Sequence, residues 1–337
     1  MQEALLVQPD TRFVREVIAA GGGDLKKCMQ CGTCSAVCTL APDDATFPRK
    51  QMLDARWGLK DRLVGDPAIW LCHNCGDCTT YCPRGARPGD VFGALRQKAI
   101  EHFAFPRALG RAAGSPKALV ALLLFPALIF WAIAAWAPKG KPSPDLEFAN
   151  VFPIPVLEAL FFGLSGLVLA VFLVGLMRFM KALRASGAGV IYPAALMAAI
   201  VEIMTHERFS KCDRSTNRRL GHLLTFWGFV GLALTGTAVG IGSMAGIMHT
   251  PLALSSPWKL FANASAATIL IGSLVLLVDR VKDPKQRAAS TYFDWFFLLT
   301  LIGVVLTGIS SELLRLAQAA GPMYGVYFVH LVGRPES

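Results

Sequence analysis

The stretch that decides the fold is "KKCMQCGTCSAVCTL", residues 26–40, in which four cysteines are spaced C-x2-C-x2-C-x3-C. The same spacing returns in "WLCHNCGDCTTYCPRGARPGD", residues 70–90. We call residues 28–38 the first motif and residues 72–82 the second motif. The eight cysteines are Cys28, Cys31, Cys34, Cys38, Cys72, Cys75, Cys78 and Cys82. Three thiolates at this spacing can wrap one corner of an iron–sulfur cubane, while the fourth reaches the neighbouring cluster.

The two motifs therefore predict two [4Fe–4S] clusters with crossed fourth ligands. One predicted ligand set is Cys28, Cys31, Cys34 and Cys82. The other is Cys72, Cys75, Cys78 and Cys38. The alternative is a pair of structural zinc sites, but these usually use cysteine pairs separated by a longer loop. His73 could hydrogen-bond a cluster sulfur or be an ordinary surface histidine, and the remaining cysteine, Cys212, is interpreted as a plain loop residue.

Residues 1–112 are predicted to form a small helical domain. Glycines end the helix pattern of "TRFVREVIAAGGG", Pro48 marks a helix start before Gly58 marks its end, and Asp66 is placed to cap another helix. The domain has no convincing run of alternating strand residues. Its N-terminus lacks the basic and apolar regions of a secretion signal, so a disulfide framework is not expected.

Residues 113–337 are predicted to form a membrane domain. Hydrophobic residues make up 54% of the chain, and apolar runs long enough for a bilayer recur after the soluble domain. The predicted spans are 118–136, 156–177, 222–243, 260–278 and 293–310, with a shortened sixth from residue 323. The fold class is thus all-α: a two-cluster ferredoxin-like domain followed by a transmembrane helix bundle. Residues 190–204 are expected to lie at the membrane interface, with a seventh span as the alternative.

Loop charge predicts the orientation. Residues 178–219 contain eight Lys or Arg residues and the loop after the fourth span contains four, against four in the opposite loops. This asymmetry predicts a multi-pass protein of the cytoplasmic (inner) membrane with the cysteine domain facing the cytoplasm. The net charge of +10 is explained by these loops, so no nucleic-acid partner is expected.

Two histidines are candidate haem ligands. His222 begins the third span and His330 lies in the shortened sixth, and a histidine bonded to a neighbouring helix is the alternative interpretation for each. A quinone site is predicted near the cytoplasmic face around His206 and Asp294, because quinone reduction takes up protons. The other residues of this predicted site are Arg208, Lys211, His222 and Tyr292. An alternative pocket is predicted near Glu312 on the opposite side.

The doubled cysteine motif resembles the C subunit of heterodisulfide reductases. The stretches "RFSKCDRSTNRRLGHLLTFWGFVGLALTG", "YFDWFFLLTLIGVVLTGISSELLR" and "VYFVHLV" are similar to cytochrome-b-type anchors such as the gamma subunit of respiratory nitrate reductase. Their fusion resembles the C subunits of quinone-interacting membrane-bound oxidoreductases, which continue through a further histidine where this chain has "GRPES".

This resemblance implies haem b, a menaquinone-type quinone, and soluble flavin and iron–sulfur partner subunits. It also implies electron exchange with adenylylsulfate reductase in sulfur metabolism. The chain would be the electron-transfer subunit of an oxidoreductase, without a complete active site of its own. The alternatives are a heterodisulfide-reductase-type or succinate/fumarate-type complex, or a membrane redox sensor. The "GGGD" at 21–24 follows a helix pattern, which does not support a dinucleotide site.

Overall fold

The computed structural model describes residues 8–43, 46–137, 146–185, 192–211 and 216–333. Within these ranges all regular structure is helical, as predicted. The α-helices are α1 (Thr11–Val17), α2 (Thr33–Ala36), α3 (Arg49–Arg56), α4 (Lys60–Val64), α5 (Asp77–Thr80), α6 (Pro88–Phe103), α7 (Arg107–Ala113), α8 (Leu119–Trp136), α9 (Ile154–Ala185), α10 (Pro193–Thr205), α11 (Thr216–Met244), α12 (Pro257–Lys282), α13 (Pro284–Ala289), α14 (Tyr292–Leu316) and α15 (Ala320–Gly333). Cys212 lies outside the described residues.

The chain divides into two compact units. The first unit comprises Met1–Gly114, Val171–Thr216 and Arg280–Thr291. The second unit comprises Ser115–Ala170, Asn217–Asp279 and Tyr292–Ser337. The first unit is therefore larger than the predicted soluble domain of residues 1–112, because most of the 178–219 loop and the loop after the fourth span belong to it.

The core of the first unit is built around α6. Phe92 is fully buried on this helix, and its ring meets Phe47 edge-on with centroids 5.2 Å apart. Burying one such side chain stabilises the fold by about 1.5–3 kcal/mol. Cys28, Cys38 and Cys72 are partly buried against the same core. Both cysteine motifs are thus held by one hydrophobic cluster.

The predicted helix ends of the first unit are present. Pro48 is the residue before α3, and Gly58 follows its end with φ of +70°. The Asp66 carboxylate accepts a hydrogen bond from the Ala68 N–H, 2.8 Å away, at the start of the 3-10 helix Pro67–Trp70. Such a cap contributes about 1 kcal/mol. These sequence signals depend only on neighbouring residues, so they can be recognised without knowing the fold.

Five helices are long and apolar enough to cross a membrane. Their bounds are Pro116–Trp136, Ile154–Ala185, Asn217–Met244, Pro257–Lys282 and Tyr292–Leu316. Large apolar side chains on them are exposed; Leu167 and Phe172, for example, are 59% and 61% exposed. Exposed apolar surface costs about 25 cal/mol per Å² in water. These helices therefore suit a lipid environment, where exposed apolar side chains carry no such cost.

The predicted short sixth segment is the 14-residue helix α15. A tight turn at Gln318, which has φ of +56°, reverses the chain between α14 and α15. Leu331 of α15 is buried with Phe130 of α8 and Phe152. Fourteen residues rise only about 21 Å as a helix, less than a bilayer core. Helix α15 is therefore fixed by packing against its neighbours.

The segment predicted to lie at the interface contains the 13-residue apolar helix α10. Leu196 and Met197 on this helix are 55% and 60% exposed. Helix α10 is shorter than the about 20 residues that a membrane span usually needs. Its location at the membrane interface remains a prediction.

Candidate functional site

The two cysteine motifs have nearly the same backbone. Gln30 and Asn74, two residues after the first cysteine of each motif, both have positive φ, +62° and +54°. Gly32 and Gly76 follow the second cysteines with φ of +88° and +89°, and they begin the short helices α2 and α5. Positive φ is costly for residues with a Cβ. The backbone angles therefore explain why glycine stands at these two positions.

Hydrogen bonds to sulfur repeat the same arrangement. The Gln30 side-chain amide donates to the Cys28 sulfur at 3.3 Å, and the Asn74 backbone N–H donates to the Cys72 sulfur at 3.4 Å. Donors to thiolate sulfur stabilise added negative charge and are one of the features that set cluster potentials. Each motif thus supplies a donor at its first cysteine.

Four thiols line one cavity beside the first motif. They are those of Cys28, Cys31, Cys34 and Cys82. Cys82 comes from the second motif, so the structure brings together the first of the two predicted crossed sets. Arg49 and Arg84 are exposed at the rim of this cavity.

The Cys78 thiol of the second motif lies in an environment shaped by thiols of both motifs. Burial raises the pKa of the Cys78 thiol to about 12, and the Cys72, Cys34 and Cys38 thiols add to the rise. Burial also raises the pKa of Cys34, with contributions from Cys28 and Cys31. Cys78 is therefore affected by Cys72 of its own motif and by both Cys34 and Cys38 of the first motif. Loading iron must displace protons from these thiols, since thiolate is the ligand.

The arrangement of the thiols bears on the alternative of a structural zinc site. A structural zinc site needs four donors within about 2.3 Å of one ion. Among the described residues, no three histidine, cysteine or acidic side chains converge in a way that could hold one metal ion. Four cysteines around one cavity are the number of ligands that one [4Fe–4S] cluster uses.

An arginine contacts the first cysteine of each motif. Arg56 of α3 donates to the Cys28 carbonyl, and Arg96 of α6 donates to the Cys72 carbonyl at 2.6 Å. Arg56 is exposed and Arg96 is half-buried. Both cations therefore lie next to a cysteine that is predicted to bind a cluster. The sequence analysis missed them, because their role depends on how α3 and α6 pack.

Of the histidines predicted at membrane sites, His206 belongs to the first unit. It ends α10 with φ of +51°, and its ring lies 5.9 Å from that of Phe209, with the two planes nearly parallel. Phe209 in turn stacks on His73, with ring centroids 4.7 Å apart and planes at 24°. The stack joins the second motif to the segment after α10. The sequence around Phe209 has no local signal that predicts its stack on His73.

The other residues of the predicted quinone site are divided between the two units. Arg208 belongs to the first unit, where its backbone N–H donates to the Glu202 carboxylate at 2.8 Å. Asp294, Tyr292 and His222 belong to the second unit. The Tyr292 hydroxyl is buried without a hydrogen-bond partner among the described residues. The side chain of Lys211 lies outside what the structure describes.

His330, the second predicted haem ligand, is fixed between helices of the second unit. Its Nδ1 lies 2.9 Å from the Val304 carbonyl of α14, so Nδ1 carries the proton of the neutral ring. A Cβ added at Gly308 would lie 2.9 Å from the His330 ring. This hydrogen bond fits the alternative interpretation, a histidine bonded to a neighbouring helix. It also fits a haem ligand, because a metal-bound histidine typically donates a hydrogen bond from the ring nitrogen that does not bind the metal. His222 lies half-buried on α11.

Glu312, the alternative quinone-site residue, is engaged in ion pairs. Its carboxylate lies 3.1 Å from Lys259 and 3.1 Å from Arg315. All three side chains are at most 20% exposed. These two ion pairs favour a structural role for Glu312.

Comparison with known proteins identifies the first part of the chain. Residues 24–86 match the family described as "4Fe-4S dicluster domain". The C subunit of the H(2):CoB-CoM heterodisulfide,ferredoxin reductase of Methanothermobacter thermautotrophicus is 37% identical over 92 residues, 27% of this chain and 50% of that protein. A protein of Archaeoglobus profundus, named for its likeness to the C subunit of heterodisulfide reductase, is 39% identical over 93 residues, 27% of this chain and 50% of that protein. The chain thus spans about half the length of these relatives.

A longer match joins both parts of the chain. Citrate utilization protein B of Escherichia coli is 26% identical over 263 residues, 71% of this chain and 68% of that protein. A match of this length cannot fit within residues 1–112, so it includes apolar helices. No solved structure matches this chain. The chain therefore combines a 4Fe–4S dicluster domain, similar to the C subunit of heterodisulfide reductase, with helices suited to a membrane.

Proposed function

We propose that this protein is a membrane electron-transfer subunit that passes electrons between a quinone pool and soluble flavin and iron–sulfur partner subunits. One observation carries the proposal: two cysteine motifs of matching geometry share a chain with five helices able to span a membrane. Such an arrangement links one-electron carriers to a lipid-soluble carrier. The cluster domain faces the cytoplasm on this proposal, supported by the basic loops that belong to its unit.

The ligand sets that we propose are the crossed ones. Cys28, Cys31, Cys34 and Cys82 would hold one cluster, supported by the cavity that they line. Cys72, Cys75, Cys78 and Cys38 would hold the other. When bound, each [4Fe–4S] cluster carries a single electron. The protein's own contribution is to bury the thiols against one core, donate hydrogen bonds to sulfur, and provide the cations of Arg56 and Arg96.

The proposed partners follow from the cluster ligands and from the relatives. We place the substrate chemistry on partner subunits, because the chain offers electron carriers and several relatives are named as subunits. The sequence resemblance favours a complex of the quinone-interacting membrane-bound oxidoreductase type, exchanging electrons with adenylylsulfate reductase. The match to citrate utilization protein B favours a second candidate, the same electron-transfer role in carboxylate utilisation. Electron transfer from the reduced protein to purified adenylylsulfate reductase distinguishes these two candidates.

We further propose haem b in the second unit, with His330 and His222 as ligand candidates. The bond from His330 Nδ1 to Val304 supports His330, because it leaves Nε2 as the ring's lone-pair nitrogen. For the quinone we keep the cytoplasmic-side location around His206 and Asp294. The buried Tyr292 hydroxyl near Asp294 in the chain supports a polar ligand there, since buried hydroxyls are normally hydrogen-bonded.

The decisive experiment uses the purified full chain. Iron, sulfide and haem are quantified, EPR spectra are recorded, and a menaquinol analogue is then added anaerobically. We expect about eight iron atoms per chain and reduction of the clusters by the quinol. Loaded clusters that the quinol cannot reduce, under conditions where dithionite reduces them, would contradict the quinone link.

A further inference from the structure

The two cysteine motifs differ in how they are covered. In the first motif Met29 is 59% exposed and Cys31 is also exposed. In the second motif every residue from Cys72 to Thr79 is at least half-buried, and the exposed Thr80 and Tyr81 lie beyond its third cysteine. The two motifs share one backbone geometry, so the difference comes from what packs on them.

One aromatic contact lies on the second motif and another lies just before it, and both come from the Val171–Thr216 segment of the same unit. Phe209 stacks on His73 inside the motif, with centroids 4.7 Å apart. Phe179 of α9 meets Trp70, two residues before Cys72, edge-on at 6.5 Å. Aromatic pairs of this kind are worth about 0.5–1.5 kcal/mol each. The second motif and the residues just before it are therefore held against α9 and the segment after α10.

The first motif has a different environment. Its cavity is rimmed by the exposed cations Arg49 and Arg84. An exposed basic rim attracts an acidic surface and speeds association with it. The first motif therefore suits contact with a soluble, acidic redox partner.

We infer that the two clusters work in a fixed order, an inference that rests on the proposed function. The cluster of the second motif exchanges electrons with the membrane carrier, and that of the first motif exchanges them with the soluble partner. Phe209 is a positioning residue in this scheme: it holds the second motif against the segment ending in His206, at the end of apolar helix α10. It acts on His73 and does not itself bind the carrier.

The electron balance requires both clusters. One quinol gives up two electrons and two protons as it becomes a quinone. Each [4Fe–4S]²⁺ cluster takes up one electron to become [4Fe–4S]⁺, so a pair of clusters accepts both, and the protons pass to water. With the second cluster nearest the carrier, the first electron must move on to the first cluster before the second electron arrives.

The test compares four full-length proteins: wild type, Phe209→Ala, Phe209→Tyr and Phe105→Ala. Phe105 is a matched control, because its ring lies in the same unit but contacts Arg178 instead of a motif. Three quantities are measured: cluster content, backbone hydrogen exchange at residues 72–76, and freeze-quench EPR after addition of a menaquinol analogue. A Cys38→Ser protein identifies which EPR signal belongs to the second cluster.

We expect the second-cluster signal first in the wild type. In Phe209→Ala we expect full cluster content, faster exchange at residues 72–76, and reduction slowed about tenfold. Phe209→Tyr, which keeps the ring, and Phe105→Ala should both behave as wild type. If Phe209→Ala loses its clusters, Phe209→Leu provides the milder truncation for the same three measurements.

Two outcomes would overturn the order of clusters while leaving the proposed function intact. One is first-cluster reduction before the second in the wild type. The other is an unchanged rate and unchanged exchange in Phe209→Ala. A wild-type protein whose clusters the quinol never reduces would instead contradict the proposed function, and hydrogen exchange would still decide whether Phe209 holds the second motif.

Discussion

Cys82 of the second motif lies on the wall of the same cavity as Cys28 of the first motif. The fourth thiol of the second motif is thus displaced towards the first motif. The short helices α2 and α5, which precede Cys38 and Cys82, contact each other. Crossed ligation follows if these thiols bind the clusters that they face.

The first prediction tests this crossing with serine substitutions. Cys82→Ser should damage the cluster of Cys28, Cys31 and Cys34, and Cys38→Ser should damage the other cluster, because a hydroxyl is a poor ligand for iron. Each variant should keep about half of its iron and one EPR signal, and the two remaining signals should differ. Loss of the first-motif cluster in Cys38→Ser would contradict the crossed arrangement.

The second prediction concerns the arginines on the motif carbonyls. Arg96→Met should lower the midpoint potential of the second cluster, because a nearby cation favours the more negative, reduced state. A single nearby charge at an effective dielectric of ~20 contributes on the order of 1–2 kcal/mol, or roughly 50–100 mV for one electron. Redox titration followed by EPR measures the shift.

Arg56→Met provides the comparison for Arg96→Met. Arg56 is exposed and Arg96 is half-buried, so water and salt should screen the Arg56 charge more. We expect a smaller lowering, confined to the first cluster. Equal shifts in both clusters from either variant would indicate a general effect on folding.

The sequence predicts what acts over short distances in this protein. The signals that act within a few residues are the cysteine spacing, Pro48, Asp66 and the apolar runs. The structure has helices where Pro48, Asp66 and the apolar runs predict them. The sequence does not reveal the stack of Phe209 on His73, since an aromatic residue in a loop carries no local signal of its partner. The same holds for Arg56 and Arg96, and for the positive φ of Gln30 and Asn74, which are not glycines.

The third prediction separates backbone strain from steric overlap. Gly21 and Gly58 both have positive φ, +110° and +70°. A Cβ at Gly21 would meet no described atom within 4 Å, whereas one at Gly58 would overlap the Asp10 backbone. Gly21→Ala should cost about 1–2 kcal/mol from conformation alone.

Gly58→Ala combines the cost of positive φ with the overlap between the new Cβ and the Asp10 backbone. It should cost about 1–3 kcal/mol more than Gly21→Ala, the usual range for overpacking. Thermal unfolding of the two variants, followed together with hydrogen exchange at the α1 amides, measures the difference. Equal destabilisation would mean that the Asp10 backbone moves aside easily.

The fourth prediction concerns the Lys259–Glu312–Arg315 ion pairs. Glu312→Gln removes the only acid of the group, so two largely buried cations lose their charged partner. We expect a loss of about 1–3 kcal/mol in stability, seen as a lower melting temperature in detergent. The Lys259→Gln/Glu312→Gln double variant should be less destabilised than the sum of the single variants.

The same Glu312→Gln variant tests the alternative quinone pocket. With Glu312 in a structural role, the rate of cluster reduction by a menaquinol analogue should be unchanged per folded molecule. A large fall in that rate with clusters intact would favour a quinone site near Glu312. It would also count against the location around His206 and Asp294.

The last prediction concerns membrane orientation. The loops at 178–219 and after the fourth span carry twelve Lys or Arg residues against four in the opposite loops, and basic loops are retained in the cytoplasm. A periplasm-active reporter fused after Gly110, at the end of the cluster domain, should therefore be silent. The same reporter fused after Trp136, where the first span ends, should be active, because one span separates the two positions. Activity after Gly110 and silence after Trp136 would reverse the orientation, and activity at both would show that residues 116–136 do not cross the membrane.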